Sequence, residues 1–550
     1  MTRRAEHEQA GLELRQARSR LRILTVLGLL TFTGLGARLA DLAILSDPPE
    51  IGSRYVADPM ENQTRRADIV DRKGRLIATD YPKVSVFADP KEVTNPNETA
   101  LSLASVLANI KVESLARRLG RKSRFVWVKR HITDEQQRRI MRLGLPGVSF
   151  RTEYHRIYPQ RALTSHVLGY VGIDNQGLAG IERSFEQRLT ADGLYQGPLE
   201  LTLDLGIQEV VRSELKASVE RFKAKGGTGL VLDAVTGGLL AAVSLPDFDP
   251  NHYQHAAKQA KFNRNIQGSY ELGSLFKVLT AGMALDSQVV KITDSFDASK
   301  PFRMNRFRIN DFHAKKRDLS VPEIIAFSSN IGAAKMAMAF GTETQHAYFG
   351  RLGLLDRHPI RLNEVATPQL PKTWREINTV TASYGHGIAV SPLQTIDAVA
   401  AMLCGGDRQP AHLAVEERAA TPRRPAAVSD DTAAKLRWLM WLVVAEGTGS
   451  NAKVPGYLIG GKTGSADKAG PKGYGDRRLL SSFIGAFPIE APRYLVLITL
   501  DEPEGDEATF DQAHGGWTAA PTVAQIISRA GPILGLLPND IRTERWFRDR

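Results

Sequence analysis

A chain of 550 residues is longer than one hydrophobic core usually organises, so two or more folded domains are expected. With 42% apolar and 24% charged residues, the composition excludes a wholly disordered chain, a collagen-like chain and a polytopic membrane protein. Lys and Arg outnumber Asp and Glu by 72 to 60, and the formal net charge of +12 permits an anionic partner without demanding one.

Residues 1–22 read as a basic tail containing Arg3, Arg4, Arg15, Arg18, Arg20 and Arg22. From Ile23 to Leu45 the chain turns apolar: ILTVLGLLTFTGLGA carries no charge, and LADLAIL continues it past Arg38. The uncharged part alone would rise ~22 Å as a helix, short of a ~30 Å hydrocarbon core, whereas the full stretch suffices. Arg22 and Arg38 can snorkel to opposite interfaces. The rivals are a buried core helix and a cleaved signal peptide. The latter fits poorly, because Arg38 and Asp41 stand where a cleavage site needs small residues. The expectation is an uncleaved, single-pass transmembrane helix over 23–45. The arginine-rich amino terminus then faces the cytoplasm, and everything after Leu45 lies outside.

After a Pro- and Gly-rich connector, RRADIVDRKGRLIATD reads as a strand, a charged turn and a second strand. Up to about residue 222, basic helices (ESLARRLGRK, DEQQRRIMRLG) alternate with short strands. SLARRLGRKSRFVWVKRH, with Phe125 and Trp127 among cations, is the best nucleic-acid candidate. Acidic neighbours dilute it and export removes it from nucleic acid, so a solvated helix face is expected.

A composition shift near Lys225 opens a second domain over 223–550. TGLVLDAVTGGLLAAVSLP reads as a hairpin, and helical stretches dominate from about 274 to 445. Three more strands (YLIGGKTGSA, SSFIGAFPIE, RYLVLITLDE) and the helix TAAPTVAQIISRAG follow. The order implies a mixed α+β fold: a central antiparallel five-stranded sheet flanked by helices. The single cysteine, Cys404, cannot form an intramolecular disulfide and reads as a small buried hydrophobe.

Lys462 fits two motifs. Gly456 to Thr463, GYLIGGKT, matches the phosphate-binding pattern G-x-x-x-x-G-K-[ST]. That chemistry needs a helix after the loop, and ADKAGPKGYGD carries Gly and Pro that break one. The other reading is a strand-borne Lys462-Thr463-Gly464. It gains weight from Ser274-Leu275-Phe276-Lys277 at a helix start and Ser328-Ser329-Asn330 between apolar segments, in the order S-x-x-K, S-x-N, K-T-G. The bland reading of each alone is a cap, a turn or a surface lysine; jointly the three point to chemistry.

A serine hydroxyl needs a base to become a nucleophile. At i,i+3 on one helix face, Lys277 can reach Ser274, and burial beside a second cation such as Lys462 would keep it neutral. The Ser274 N–H and a second donor, expected at Ser465, suit an oxyanion; losing one such donor costs ~3–4 kcal/mol of transition-state stabilisation. Ser328 can relay a proton to a leaving amine, and Asn330 can hold a substrate amide. Lys462, Thr463 and Ser465, around Gly464, suit a terminal carboxylate.

The chain resembles the class B penicillin-binding proteins, most of all the division-specific FtsI type. The likeness runs from the anchor, ending in ARLADL, to about residue 525. It includes RRADIVDRKG, RIYPQRALTSHVLGYVG, GLAGIE, NRNIQGSYELGSLFK, YGHGIAVSPLQ and EGTGSNAKVPGYLIGGKTGSA. The resemblance implies an elongated, non-catalytic α+β pedestal over 46–222 and a transpeptidase domain over 223–550. It implies an inner-membrane enzyme with a periplasmic catalytic domain, cross-linking peptidoglycan stem peptides that end in D-Ala-D-Ala during septal wall synthesis. Ser274 would attack the penultimate D-alanine carbonyl, and β-lactams would acylate the same serine. An FtsW-type glycan polymerase and other division membrane proteins are the implied partners. Ser465, Leu275 and Ala67 depart from the usual threonine, threonine and glycine, and none removes a catalytic group.

A serine β-lactamase shares these motifs, but no E-x-x-L-N lies between residues 330 and 462; PIRLN has Pro359 in the glutamate's place. A D,D-carboxypeptidase and a catalytically weak division scaffold are further alternatives. His155, His166, His386 and His514 form no H-E-x-x-H, so neither metal nor cofactor is expected.

Overall fold

The computed structural model describes residues 26–36, 65–190, 197–304, 307–468 and 478–539, in two units, Met1–Gln63 and Thr64–Arg550. In the first unit residues 26–36 are helical, with Leu27, Leu29, Leu30, Phe32 and Leu35 exposed. The Thr31 and Thr33 hydroxyls donate to the carbonyls of Leu27 and Leu29, each at 2.7 Å, so the helix satisfies its polar side chains internally. The remainder of the span expected over 23–45, and the basic tail, lie outside the described residues. Among the described residues no helix is long and apolar enough to cross a membrane.

The second unit begins with β1 (Ile69–Val70), β2 (Leu76–Ala88), β3 (Val126–Ile132) and β4 (Val148–Ile157). The long β2 pairs antiparallel with the other three, and β1 also runs parallel to β5 (Leu199–Glu200). The DRKG turn forms because Asp71 accepts from the N–H groups of Lys73 and Arg75 while Gly74 takes φ +74°. Helices Pro96–Val106, Val112–Leu119 and Asp134–Arg142 close a small core around Val86, Leu103, Leu115 and Val128. Much of the basic stretch considered for nucleic acid is engaged within this layer. Arg118 donates to the Trp127 carbonyl, while Arg130 pairs with Glu153 and Arg124 with Asp89.

Beneath β2 lies a buried ionic cluster. Arg66 and Glu182 are both 0% exposed and meet at 2.9 Å. Arg66 also meets Glu186 at 2.9 Å, and Arg156 meets Glu182 at 2.6 Å and Asp80 at 3.2 Å. The Asn175 amide donates to Asp80, as does the Arg66 N–H. Three distant stretches, RRADIV, HRIYPQ and GLAGIE, are thereby bound into one object.

The rest is organised on a second sheet, built from β6 (Gly226–Asp233), β7 (Leu239–Leu245), β12 (Gly460–Asp467), β13 (Leu479–Phe487) and β14 (Tyr494–Asp501). Its order is β12-β13-β14-β6-β7 and every pairing is antiparallel, as expected from the hairpin and the three later strands. Between them, short strands β8 (Ser295–Asp297), β9 (Phe302–Met304), β10 (Phe307–Ile309) and β11 (Asp318–Ser320) form two small pairs. The helices that matter are α1 (Leu205–Arg221), α2 (Phe276–Asp286), α3 (Asn330–Arg351), α4 (Asp430–Ala445) and α5 (Ala519–Ile533).

The pleat sorts the core into two layers. Val496 and Ile498 of β14 pack with Val211 and Leu215 of α1 and Val523 and Ile527 of α5. Leu495 and Leu497 belong to the opposite layer, with Phe276 and Leu279 of α2 and Leu436 and Met440 of α4. A strand buried on both faces reads as a continuous apolar run, as YLVLITL does. A Cβ at Gly229 would lie 2.5 Å from Val211, so glycine in β6 lets α1 approach.

Replacing Arg66 by Met should leave Glu182 and Glu186 short of a buried counter-charge and destabilise the protein by ~3–5 kcal/mol. Urea unfolding of the isolated variant checks this, and an unchanged midpoint would contradict the structural weight given to the cluster.

Candidate active site

Ser274 sits in the turn Gly273–Leu275 that leads into α2. That turn is wedged between β12 and the turn at Gly385. Gly273 takes φ +57°, and a Cβ there would come 2.9 Å from the Ser465 carbonyl; one on Gly385 would come 2.1 Å from the Gly273 carbonyl. On β12, a Cβ at Gly464 would lie 2.8 Å from the Leu272 carbonyl. Three backbones meet where no side chain fits, which holds Ser274 against the edge strand.

Lys277 is fully buried, and its Nζ donates to the Ser328 carbonyl at 2.5 Å and to the Ser328 hydroxyl at 3.1 Å. Lys462, equally buried, donates to the same hydroxyl at 2.9 Å and to the Thr463 carbonyl at 3.2 Å. Two amines therefore converge on one oxygen. Ser328 meets them from a left-handed backbone, φ +59°, an uncommon state for a serine and one that marks strained functional positions. It lies between helix Val321–Ala326, started by a Ser320–Glu323 capping box, and α3, capped by Ser329.

The Lys277 amine reaches Ser328, whereas the i,i+3 spacing had suggested a bond to Ser274. Among the described residues the Ser274 hydroxyl has no hydrogen-bond partner, and it opens onto the cleft. The reason is local: Ser274 lies in the turn before α2, whereas Lys277 lies within the helix and points into the core beside Ser328.

With two buried amines sharing one hydroxyl, fewer than two positive charges are favoured. Burial first, and then the like charge of Lys462, hold Lys277 well below the ordinary lysine range; burial brings Lys462 down to about 7.

A cleft of about 380 Å³ joins Ser274, Ser328, Asn330, Thr463 and Ser465. The Asn330 amide donates to the Asn310 carbonyl at 3.0 Å, and the Thr463 and Thr448 hydroxyls lie 2.8 Å apart. The Ser465 hydroxyl accepts from the Gly515 N–H at 3.1 Å. β12 is the edge of its sheet, and Lys468 N–H donates to the Arg478 carbonyl across to the β13 side. Antiparallel alternation then directs the backbone groups of Thr463, Ser465 and Asp467 to the free edge. An N–H at Ser465 beside the Ser274 turn is the arrangement an oxyanion needs.

The cleft also holds residues to which sequence reasoning assigned no role. Asp311 accepts from the Ser329 hydroxyl at 2.7 Å and the Ile331 N–H at 2.9 Å, and so holds the start of α3. Phe312 packs on His514, ring centroids 4.6 Å apart, at the cleft wall. Thr448 lies within the EGTGSN stretch, where its small polar loop was the available signal; nothing around Asp311 offered one. The phosphate-loop reading does not survive, because Gly460–Asp467 is a β-strand with no helix N-terminus at Lys462.

Comparison with known proteins bears on the same residues. Residues 227–528 match the model of the penicillin binding protein transpeptidase domain, and 61–193 that of the penicillin-binding protein dimerisation domain. The chain is 35% identical over 529 residues to a Caulobacter vibrioides protein named "Probable peptidoglycan D,D-transpeptidase FtsI", covering 94% of this chain and 89% of that one. It is 28% identical over 513 residues to the "Peptidoglycan D,D-transpeptidase FtsI" of Escherichia coli K12, covering 87% and 85%. A solved structure from Atopobium parvulum aligns with TM-score 0.66 at 20% identity, over 86% of this chain and 99% of the other, which shows a common fold.

Removing the neighbouring cation in Lys462→Met should raise the pH at which Lys277 titrates, because a like charge depresses an amine's affinity for protons. Side-chain NMR of isotope-labelled lysine reads this directly; a midpoint that stays put or falls would contradict the coupling.

Proposed function

The chain belongs to the class B penicillin-binding proteins of the FtsI type, and from that premise we propose how its residues act as a peptidoglycan D,D-transpeptidase. The observation that carries the reading is the convergence of two buried lysine amines on the Ser328 hydroxyl in the cleft that Ser274 lines.

In acylation, the Ser274 oxygen attacks the carbonyl of the penultimate D-alanine of a stem peptide, and its proton passes to neutral Lys277, whose amine turns from Ser328 to the Ser274 oxygen once substrate is bound. The developing oxyanion is held by the N–H groups of Ser274 and Ser465. The bond to the terminal D-alanine breaks, and its nitrogen takes a proton delivered through Ser328, leaving an ester on Ser274. An amine of a neighbouring strand then attacks the ester, returning the serine. Lys462, Thr463 and Ser465, with Gly464 keeping the strand close, bind the terminal carboxylate, and Asn330 holds the substrate amide. A β-lactam carbonyl enters by the same route, and its ester persists.

Around this core, residues 46–222 serve as the non-catalytic pedestal and 223–550 as the catalytic domain. Residues 23–45 anchor the protein in the inner membrane, supported by the exposed apolar helix over 26–36, with the catalytic domain periplasmic. An FtsW-type polymerase and other division membrane proteins are its partners there.

Fluorescent penicillin tests the assignment. One slowly hydrolysed adduct per chain is expected, lost in Ser274→Ala; an adduct that survives that substitution, or rapid penicillin turnover, would sink it. In Lys277→Ala, acylation should fall by at least ~100-fold with the circular dichroism spectrum unchanged, general-base assistance being worth about that much.

A further inference from the structure

The cleft is lined by two carboxylates and, among the described residues, by no lysine or arginine. One carboxylate is committed: Asp311 accepts from the Ser329 hydroxyl with one oxygen and from the Ile331 N–H with the other. The second belongs to Asp467, the exposed last residue of β12. Among the described residues no hydrogen bond or ion pair engages its side chain. Its neighbour Lys468 is held elsewhere, by Asp501 at 2.6 Å and Glu502 at 2.8 Å.

Thr463, Ser465 and Asp467, each two positions apart along β12, share one face of the strand, and all three line the cleft. Charge is graded along this edge. Buried Lys462 lies at one end, Ser465 beside the Ser274 turn in the middle, and Asp467 at the open end, ~7 Å beyond Ser465. A peptide laid along the edge with its terminal carboxylate at Lys462 and its reacting carbonyl at Ser465 therefore brings the residue before D-Ala-D-Ala towards Asp467.

Donor and acceptor stems belong to one polymer, so the donor carries an amine of the same kind as the one that attacks the ester. Resting on the transpeptidase reading, we infer that Asp467 is a specificity-determining residue whose carboxylate pairs with an ammonium on the donor stem, borne by a residue preceding D-Ala-D-Ala. An anion at the open end and a cation at the deep end match a peptide with the opposite order of charges. The pair orients the donor and takes no part in the reacting bond. Held as an ammonium, the donor's own amine has no lone pair with which to attack its own ester.

The full-length protein is acylated by two penicillins that differ only at the end of the side chain, one bearing a primary amine and the other its acetamide. Each side chain, like the residue before D-Ala-D-Ala, is joined to the reacting unit by an amide. The amine compound should acylate the wild type about three- to fivefold faster in second-order rate, the worth of a solvent-exposed ion pair. High salt should bring that ratio towards one. Asp467→Asn should abolish the preference, and Asp467→Lys should invert it. The ratio is internal to each protein, so a general loss of activity does not move it. A ratio near one in the wild type, or a preference that survives Asp467→Asn, would overturn the inference and leave the enzymatic reading standing. No adduct from either compound would instead overturn that reading, and this inference with it.

Discussion

Two buried lysine amines on one hydroxyl is the arrangement around which the site is built. Removing two cations from water costs several kcal/mol each unless acceptors replace the solvent or a proton is given up. Here the acceptors are the carbonyl and hydroxyl of Ser328 and the carbonyl of Thr463, and both amines are pushed towards neutrality. The same burial that makes the lysines expensive makes them useful, because a neutral amine accepts a proton near pH 7 and an exposed one does not. Ser328 holds its place through a left-handed backbone, and that geometry is sustained by the elements on either side, the capped helix before it and the Asp311-braced start of α3 after it.

The second requirement is steric. Ser274 is useful only if its turn lies against the free edge of β12, and Gly273, Gly385 and Gly464 permit that approach. The edge strand then presents backbone groups that lie outside the sheet's own ladder on the side where a peptide would lie, as a sheet edge does when it accepts another strand. The two packed layers behind β13 and β14 keep this edge rigid.

Charge also joins the amino-terminal layer to the catalytic sheet. Arg75 in the β1–β2 turn lies 2.9 Å from Asp204, and Asp204 caps α1, the helix lying against β6 and β7. The Leu205 N–H donates to Asp71 of the same turn. Together with the Arg66–Glu182–Arg156–Asp80 cluster, these contacts tie the DRKG turn to the helix start, so Arg66, Asp71 and Arg75 act as structural joints.

What the sequence determined by itself was whatever depends on near neighbours. Strand and helix periodicities, the helix start after Ser274, the two-plus-three strand order and the three short motifs all follow from residues within a few positions of one another. The tertiary structure decided the pairings. Lys277 meets Ser328 across 51 positions and Lys462 meets it across 134, so no local pattern could reveal that the first amine engages Ser328 and leaves Ser274 free to face the cleft. Asp311 and His514 enter the site only through the folding of distant loops against α3 and β12. Local chemistry sets backbone conformation one turn at a time; proton affinities and reach depend on burial and on charges brought together by packing, and these exist only once the chain has closed on itself.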